Sequence, residues 1–202
     1  MSRGSAISLV IVVAIALIAV AAASLLHDGL SSRAKPTAME NMMARKVRHM
    51  AIPENARKLQ NPVAETSENL RDARLHFADH CAICHANDGS GDTMIGHNLY
   101  PKPPDMRQKE TQDLADGELF WIIENGVRFT GMPAFGGAHG SEQDSWMLVR
   151  FIRHLPQLSD EERVEMERYN PKGPGDREEE QEENDFLSGA PMQQKPETMH
   201  HH

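Results

Sequence analysis

Cysteine, aromatic residues and positive charge are all scarce in this chain of 202 residues. Its two cysteines are too few for a disulfide framework, which excludes a small disulfide-stabilised scaffold. The 30 Asp and Glu residues outnumber the 21 Lys and Arg residues, so the net charge is −9. Because phosphate binding requires clustered basic side chains, this balance argues against nucleic acid as a partner. Six Phe, two Trp and two Tyr residues are too few for a large core built from protein alone.

The charge is unevenly distributed and divides the chain into regions. Residues 1–66 contain eight basic and four acidic residues, residues 67–156 contain eight and thirteen, and residues 157–202 contain five and thirteen. Few apolar residues follow Pro156, so we expect residues 157–202 to be a disordered acidic tail. The run His200–His202 is either a native end or a remnant of a purification tag, and it enters no functional argument.

The N-terminal region contains a long apolar run. No residue from Ala6 to Leu26 is charged, and these 21 residues in a helix span the hydrocarbon core of a bilayer. We interpret residues 1–28 as a membrane anchor or a signal segment. The run exceeds the usual apolar region of a cleavable signal, which favours an uncleaved anchor. Residues 29–66 are then a membrane-proximal spacer. Its basic, Met-rich stretch at residues 39–50 has a second reading, as a contact with anionic headgroups or a partner subunit.

Residues 67–156 read as an all-α domain with long loops. Ser67 is a plausible N-cap of a helix whose apolar spacing runs to Cys81, and Asp116 is a plausible cap of a second helix that ends at Asn125-Gly126. A third helix is expected from Ser141 to Leu155, where Pro156 ends it. No alternating segment is typical of a strand. Loops this long in a domain of about ninety residues need something to pack against.

Both cysteines lie in the sequence Cys81-Ala82-Ile83-Cys84-His85, a C-x-x-C-H motif. Two thiols one helical turn apart can each add to a vinyl group of haem, and the adjacent histidine offers a proximal axial ligand. A thioredoxin-like C-x-x-C would require a surrounding βαβ pattern, and a zinc site would require a further cysteine pair. The motif therefore predicts one haem c, covalently attached through Cys81 and Cys84, with His85 on the iron.

The second axial ligand must be a soft or nitrogen donor on a loop that closes over the other haem face. Met132 fits best, because Gly131 permits close backbone approach and Pro133 fixes the direction of the chain. Met106 is the weaker competitor. The other donors fit less well, since they follow the motif too closely, lie on a helix or are expected to be exposed: Met94, Met147, His97 and His139.

Several motifs of residues 67–156 resemble those of the class I c-type cytochromes. They are Leu75-His76-Phe77 before the C-x-x-C-H motif, the turn Gly89-Ser90-Gly91-Asp92, Leu99-Tyr100-Pro101 with Pro103-Pro104-Asp105-Met106, Gly131-Met132-Pro133-Ala134-Phe135, and Trp146 with Arg150-Phe151-Ile152-Arg153-His154-Leu155. The resemblance implies a small all-α fold whose first and last helices cross around the haem. It also implies His/Met ligation by His85 and Met132 and one-electron transfer. The chain departs from the family at Ala73, where such domains commonly have glycine.

These features together predict a membrane-anchored, single-haem electron carrier rather than an enzyme. A six-coordinate iron leaves no position for a substrate, so we expect no small-molecule substrate, and redox proteins or membrane oxidoreductase subunits as partners. A fixed haem c subunit of a larger membrane oxidoreductase is the alternative, and a haem peroxidase or gas sensor is a third hypothesis. In this family haem is attached outside the cytoplasmic membrane. We therefore expect the protein in a bacterial inner membrane, with residues 67–156 on the periplasmic side.

Overall fold

The computed structural model describes residues 3–27, 31–137, 141–173 and 187–188, and within these residues the secondary structure is helical with no strand. The helices are α1 (Arg3–His27), α2 (Ala38–Ala51), α3 (Glu54–Arg57), α4 (Ser67–His80), α5 (Ala82–His85), α6 (Met94–His97), α7 (Lys109–Gln112), α8 (Asp116–Asn125), α9 (Glu142–His154) and α10 (Asp160–Glu167). A 3₁₀ turn, Leu155–Gln157, follows α9. The predicted all-α fold is confirmed.

The core lies where α4 crosses α9. The side chain of Thr66 caps α4 by accepting a hydrogen bond from the Asn69 N–H, one residue before the cap expected from the sequence. Ala73 is fully buried, and the rings of Phe77 and Phe151 pack with centroids 5.0 Å apart. The small Ala73 side chain therefore lies within this tightly packed core.

Helix α8 packs against α9, and a loop precedes and follows α8 in the chain. The rings of Phe120 and Trp146 stack at 4.0 Å between centroids. The guanidinium of Arg153 donates to the carbonyls of Gln112 and Leu114 and to the carboxylate of Asp116, so one side chain ties the connection before α8 to α9. Asp116 is thus the first residue of α8 and an ion-pair partner rather than its cap.

The folded body continues beyond Pro156, where the sequence analysis ended it. Met166 of α10 is fully buried in the core cluster, and the buried Arg74 of α4 forms ion pairs with Glu162 and Glu165. One apolar side chain and one buried cation are enough to hold this acidic helix on α4. Residues 174–186 and 189–202, to which the prediction of a disordered tail also applies, lie outside the described residues.

Residues 52–63 also pack on the domain instead of forming a detached spacer. Ile52 and Ala56 are buried, and a Cβ added to Gly117 of α8 would lie only 2.0 Å from the Ala56 carbonyl oxygen. The Asn61 side chain donates to the Trp146 carbonyl, and the Arg150 guanidinium donates to the Val63 carbonyl. This segment is therefore held on α8 and α9 by both its side chains and its backbone.

Helix α1 contains the predicted apolar span. The window Ile7–Ser24 is long and apolar enough to cross a membrane, and its side chains are exposed. An exposed apolar surface of this length near the N-terminus is typical of a membrane anchor or a signal sequence.

Candidate functional site

The end of α4 and the short α5 place the two cysteines and His85 in consecutive helical turns. The Cys81 N–H donates to the Phe77 carbonyl at 2.8 Å, and the His85 N–H donates to the Cys81 carbonyl at 2.9 Å. Both cysteine thiols are free. These backbone bonds agree with the expectation that a helix leads into the motif.

His85 is buried, and its Nδ1 has no hydrogen-bond partner. Burial lowers the pKa of His85 to about 4, so the imidazole is neutral at pH 7. A neutral imidazole is the form that coordinates a metal ion, because protonation blocks the donor lone pair. The environment therefore prepares His85 to act as a ligand.

The thiols are held in the protonated form. Burial, with a smaller contribution from neighbouring Cys84, raises the pKa of Cys81 to about 12, and burial also raises the pKa of Cys84. Redox-active C-x-x-C motifs require the opposite shift, since their reactive form is a thiolate with a lowered pKa. This argues against a thioredoxin-like role. Across residues 3–27, 31–137, 141–173 and 187–188, no group of three or more His, Cys, Asp or Glu could hold a metal ion, which argues against a zinc site there.

The loop after the motif is bonded back onto it. The Gly91 N–H donates to the His85 carbonyl at 2.8 Å, and the Thr93 hydroxyl donates to the Cys84 carbonyl at 3.3 Å. A Cβ on Gly96 would lie 2.7 Å from that same Cys84 carbonyl oxygen, so only glycine fits there. The sequence analysis did not identify Thr93 or Gly96. The sequence does not indicate either contact, because a single glycine in a short helix points to close packing only once the fold of the loop is known.

The Arg107 side chain forms a clamp that joins this loop to the Pro-rich segment that follows. The Arg107 guanidinium donates to both carboxylate oxygens of Asp105 and to Asp88, which lies near the start of the loop. Hydrogen bonds from the Arg107 side chain lower the pKa of Asp105 to about 2, so this carboxylate is ionised at neutral pH. The Met106 N–H also donates to the Gly89 carbonyl at 2.8 Å. Residues 88–107 are therefore held as one unit.

The loop that carries Met132 leaves α8 at Gly126, which has a φ of +63°. The Val127 N–H donates to the Met132 carbonyl at 3.1 Å, and the Met132 N–H donates to the Thr130 hydroxyl at 3.1 Å. A Cβ on Gly131 would lie 2.7 Å from the Leu99 side chain, so this loop touches the loop that follows the motif. The Met132 side chain is half-buried at this junction.

The competing methionines lie in different surroundings. Met106 is buried in the core cluster, and Met147 packs against the same cluster from α9. Met94 is 81% exposed on α6. Of the four methionines weighed in the sequence analysis, Met132 combines a half-buried side chain with a position on the loop after α8, where the sequence analysis expects the second ligand.

The residues at this site fit a haem group. Two free cysteines precede a neutral imidazole that has an unsatisfied ring nitrogen. Large apolar side chains of the motif and its loops are also exposed: Ile83, Met94, Tyr100 and Phe129. Phe129 is 92% exposed and has a φ of +62°, an unusual backbone conformation for a bulky residue.

Comparison with known proteins identifies the domain. Residues 68–152 match the family model described as cytochrome C oxidase, cbb3-type, subunit III. No curated protein matches the chain. The matched residues run from the start of α4 to near the end of α9 and include the C-x-x-C-H motif and the Met132 loop. With the helical fold, this match shows that residues 68–152 are a class I c-type cytochrome domain, of the kind that binds haem and transfers electrons.

Proposed function

We propose that this chain is a membrane-anchored cytochrome that holds one haem c and carries one electron at a time between redox partners. Cys81 and Cys84 form the thioether bonds, and His85 and Met132 are the axial ligands. The observation that supports this most directly is the buried, neutral His85, whose Nδ1 has no hydrogen-bond partner, at the end of the short helix that follows Cys81.

The residues of the chain have separate roles in this proposal. His85 and Met132 would hold the iron of a bound haem, and the soft thioether of Met132 would favour its reduced state. The bonds from Gly91 and Thr93 to the motif carbonyls hold the attachment site rigid. Bound haem supplies an iron that alternates between ferric and ferrous states. Because both axial positions are filled by protein, no position is left for a substrate, and we propose that the chain alone is not an enzyme.

An absorption spectrum of the purified holoprotein tests the ligation. We expect a methionine–ferric charge-transfer band in the oxidised form and no binding of carbon monoxide to the reduced form. A peroxidase or gas sensor would require a distal ligand that leaves. Carbon monoxide binding without the charge-transfer band would therefore overturn the electron-carrier proposal. Haem that remains on the denatured polypeptide would demonstrate covalent attachment, and the iron content per chain would give the number of haems.

We also propose that the chain resides in a bacterial inner membrane with the haem domain, residues 67–156, on the periplasmic side. The exposed apolar window Ile7–Ser24 supports membrane insertion, and haem attachment to a C-x-x-C-H motif supports the external side. The mass of the protein isolated from membranes tests whether α1 is retained. A mass lower by the N-terminal segment would show that it is a cleaved signal.

A second proposal, a fixed haem subunit of a larger membrane oxidoreductase, is supported by the family description, which names an oxidase subunit. Partners from a membrane redox chain are expected in either case. Gentle solubilisation of native membranes separates the two proposals. Co-purification with other subunits in constant ratio would favour the fixed subunit, whereas a lone monomer would favour the shuttle.

A further inference from the structure

The outward face of α2 is apolar although the helix contains no buried residue. Side chains that are 57–72% exposed form this face: Met39, Met42, Met43, Val47 and Met50. At about 100° per residue, four of them lie within roughly 80° of one another around the helix, and Met42 lies beside them. A helix of 14 residues has marginal stability in water without burial of an apolar face. This face therefore requires a cover.

Polar contacts on other sides of α2 hold the apolar face away from the domain. Near the start of the helix, the Tyr100 hydroxyl donates to Glu40 at 3.2 Å. Near its end, His49 Nδ1 lies 2.7 Å from an Oε1 atom of the buried Glu118, and Arg45 forms a 3.5 Å ion pair with Glu110. Because contacts are present at both ends, α2 cannot rotate its methionines inward without breaking them.

The position and charge of this segment indicate what covers it. Ten residues separate the end of α1 from the start of α2, and this length of chain spans at most about 35 Å. Residues 31–51 contain five Lys or Arg residues and one acidic residue, whereas residues 67–156 contain eight basic and thirteen acidic residues. An anionic surface would attract the segment and repel the domain. Lys46 lies within the apolar face, where its long stem can reach the headgroups.

We propose that α2 lies in the headgroup region of an anionic bilayer, with its methionine face toward the acyl chains. This rests on the proposed membrane anchoring by α1. Since α3 packs closely on α8 at Gly117, and His49 and Arg57 join the same network, an immersed α2 holds the haem domain in one orientation on the membrane.

The experiment uses the full-length holoprotein, one chain per nanodisc, with a nitroxide label on Val47→Cys. A label on Val164→Cys, at a residue of α10 that is 49% exposed, is the matched control. The cysteines of the motif are blocked by haem, which is kept in the reduced, diamagnetic state. The rate at which each nitroxide collides with oxygen, divided by its collision rate with a water-soluble nickel complex, gives the depth of the label in the bilayer. Discs of phosphatidylcholine are compared with discs that also contain phosphatidylglycerol.

We expect the Val47→Cys label to favour oxygen over the nickel complex several-fold more than the control, and more so with phosphatidylglycerol. If the Val47→Cys label is exposed to water to the same extent as the control label, the membrane proposal is overturned and the apolar face of α2 is a site for a protein partner. Equal depth in both lipid mixtures would overturn the electrostatic part. The haem spectrum and intact mass of the same sample test the proposed ligation and anchor independently.

Discussion

Burial determines the chemistry of the C-x-x-C-H motif at the residue scale. The same environment that lowers the pKa of His85 to about 4 raises the pKa of Cys81 to about 12. Without haem, the site therefore presents a neutral donor and protonated thiols rather than a nucleophilic thiolate. A sequence motif shared in part with redox enzymes thus acquires a different chemistry from its position at the end of a packed helix.

Replacing Met132 with alanine tests the distal ligand. We expect the methionine–ferric charge-transfer band to disappear and the reduction potential to fall, because the soft thioether is lost, while haem stays attached through Cys81 and Cys84. Met106→Ala is the control. It should keep the band but lower the free energy of unfolding by about 2–4 kcal/mol, because it opens a cavity in the core. A band that survives Met132→Ala and is lost in Met106→Ala would transfer the role to Met106.

Replacing Asp105 with asparagine tests the clamp between the loop and the Pro-rich segment. The folded-state pKa of Asp105, about 2, lies below its ordinary value of 3.8, so its stabilisation is present above pH 4 and is lost as the pH falls toward 2. For this partly exposed group we expect Asp105→Asn to lower the free energy of unfolding by about 1 kcal/mol at pH 6. Urea unfolding of both proteins at pH 6 and pH 3 measures this. A difference that stays constant or widens at pH 3 would contradict the assignment.

The proposed haem-attachment residues can be named from the sequence because their chemistry depends on spacing alone. Cys81, Cys84 and His85 are adjacent in the chain, so a motif finds them. The residues that bond to the motif were not predictable. Gly96 and Thr93 contact the Cys84 carbonyl only after a turn-rich loop has folded back, and neither residue type signals such a contact by itself.

At the scale of elements, α10 is held on α4 by a buried cation. The Arg74 side chain is 9% exposed and pairs with Glu162 and Glu165, whereas Arg71, which is 55% exposed, pairs with Glu165 at 3.3 Å. We expect Arg74→Ala to lower the free energy of unfolding by about 2–4 kcal/mol, because it leaves two carboxylates without their main partner. Arg71→Ala should cost less than about 1 kcal/mol. Equal losses in denaturant titrations would contradict this role for Arg74.

The contact between α3 and α8 is tested by Gly117→Ala. Helix propensity alone favours alanine over glycine by about 1 kcal/mol. A Cβ at this position would lie 2.0 Å from the Ala56 carbonyl oxygen, so α3 would have to move. We therefore expect a loss of about 1–3 kcal/mol in the free energy of unfolding, as in other overpacked sites. The sign of the measured change decides between the two effects, and stabilisation would show that α3 is not held on α8.

The sequence predicted the helices of the domain better than the helices around it. Apolar spacing and the Asn125-Gly126 stop placed α8, and Pro156 correctly ended α9. Helix α10 was missed because its charge dominates its composition, while its attachment depends on Met166 and on a distant arginine. Residues 52–63 were read as a spacer for a similar reason: they are held by the buried Ile52, the Asn61 side chain and the backbone of Ala56 and Val63, which form no periodic pattern.

The whole chain combines an acidic domain with a basic segment after the apolar α1, so charge bears on the proposed orientation in the membrane. The positive-inside rule counts Lys and Arg within about 15–20 residues of a span. Arg3 precedes the window Ile7–Ser24, and Arg33 and Lys35 follow it within that distance. Arg45 and the other basic residues of α2 lie beyond it. The positive-inside rule therefore favours a cytoplasmic domain by only one charge. This small difference is compatible with the proposed periplasmic side, on which haem would be attached.

Labelling of single cysteines in spheroplasts tests this orientation. We expect a membrane-impermeant maleimide to react with Val164→Cys in intact spheroplasts, because α10 packs on the haem domain and shares its side of the membrane. Gly4→Cys, before the span, should react only after lysis. The motif cysteines contribute no signal once haem is attached. The reverse pattern would place the domain in the cytoplasm, where the one-charge bias and not haem attachment would have set the topology. Labelling at both sites before lysis would show that the segment does not span the membrane.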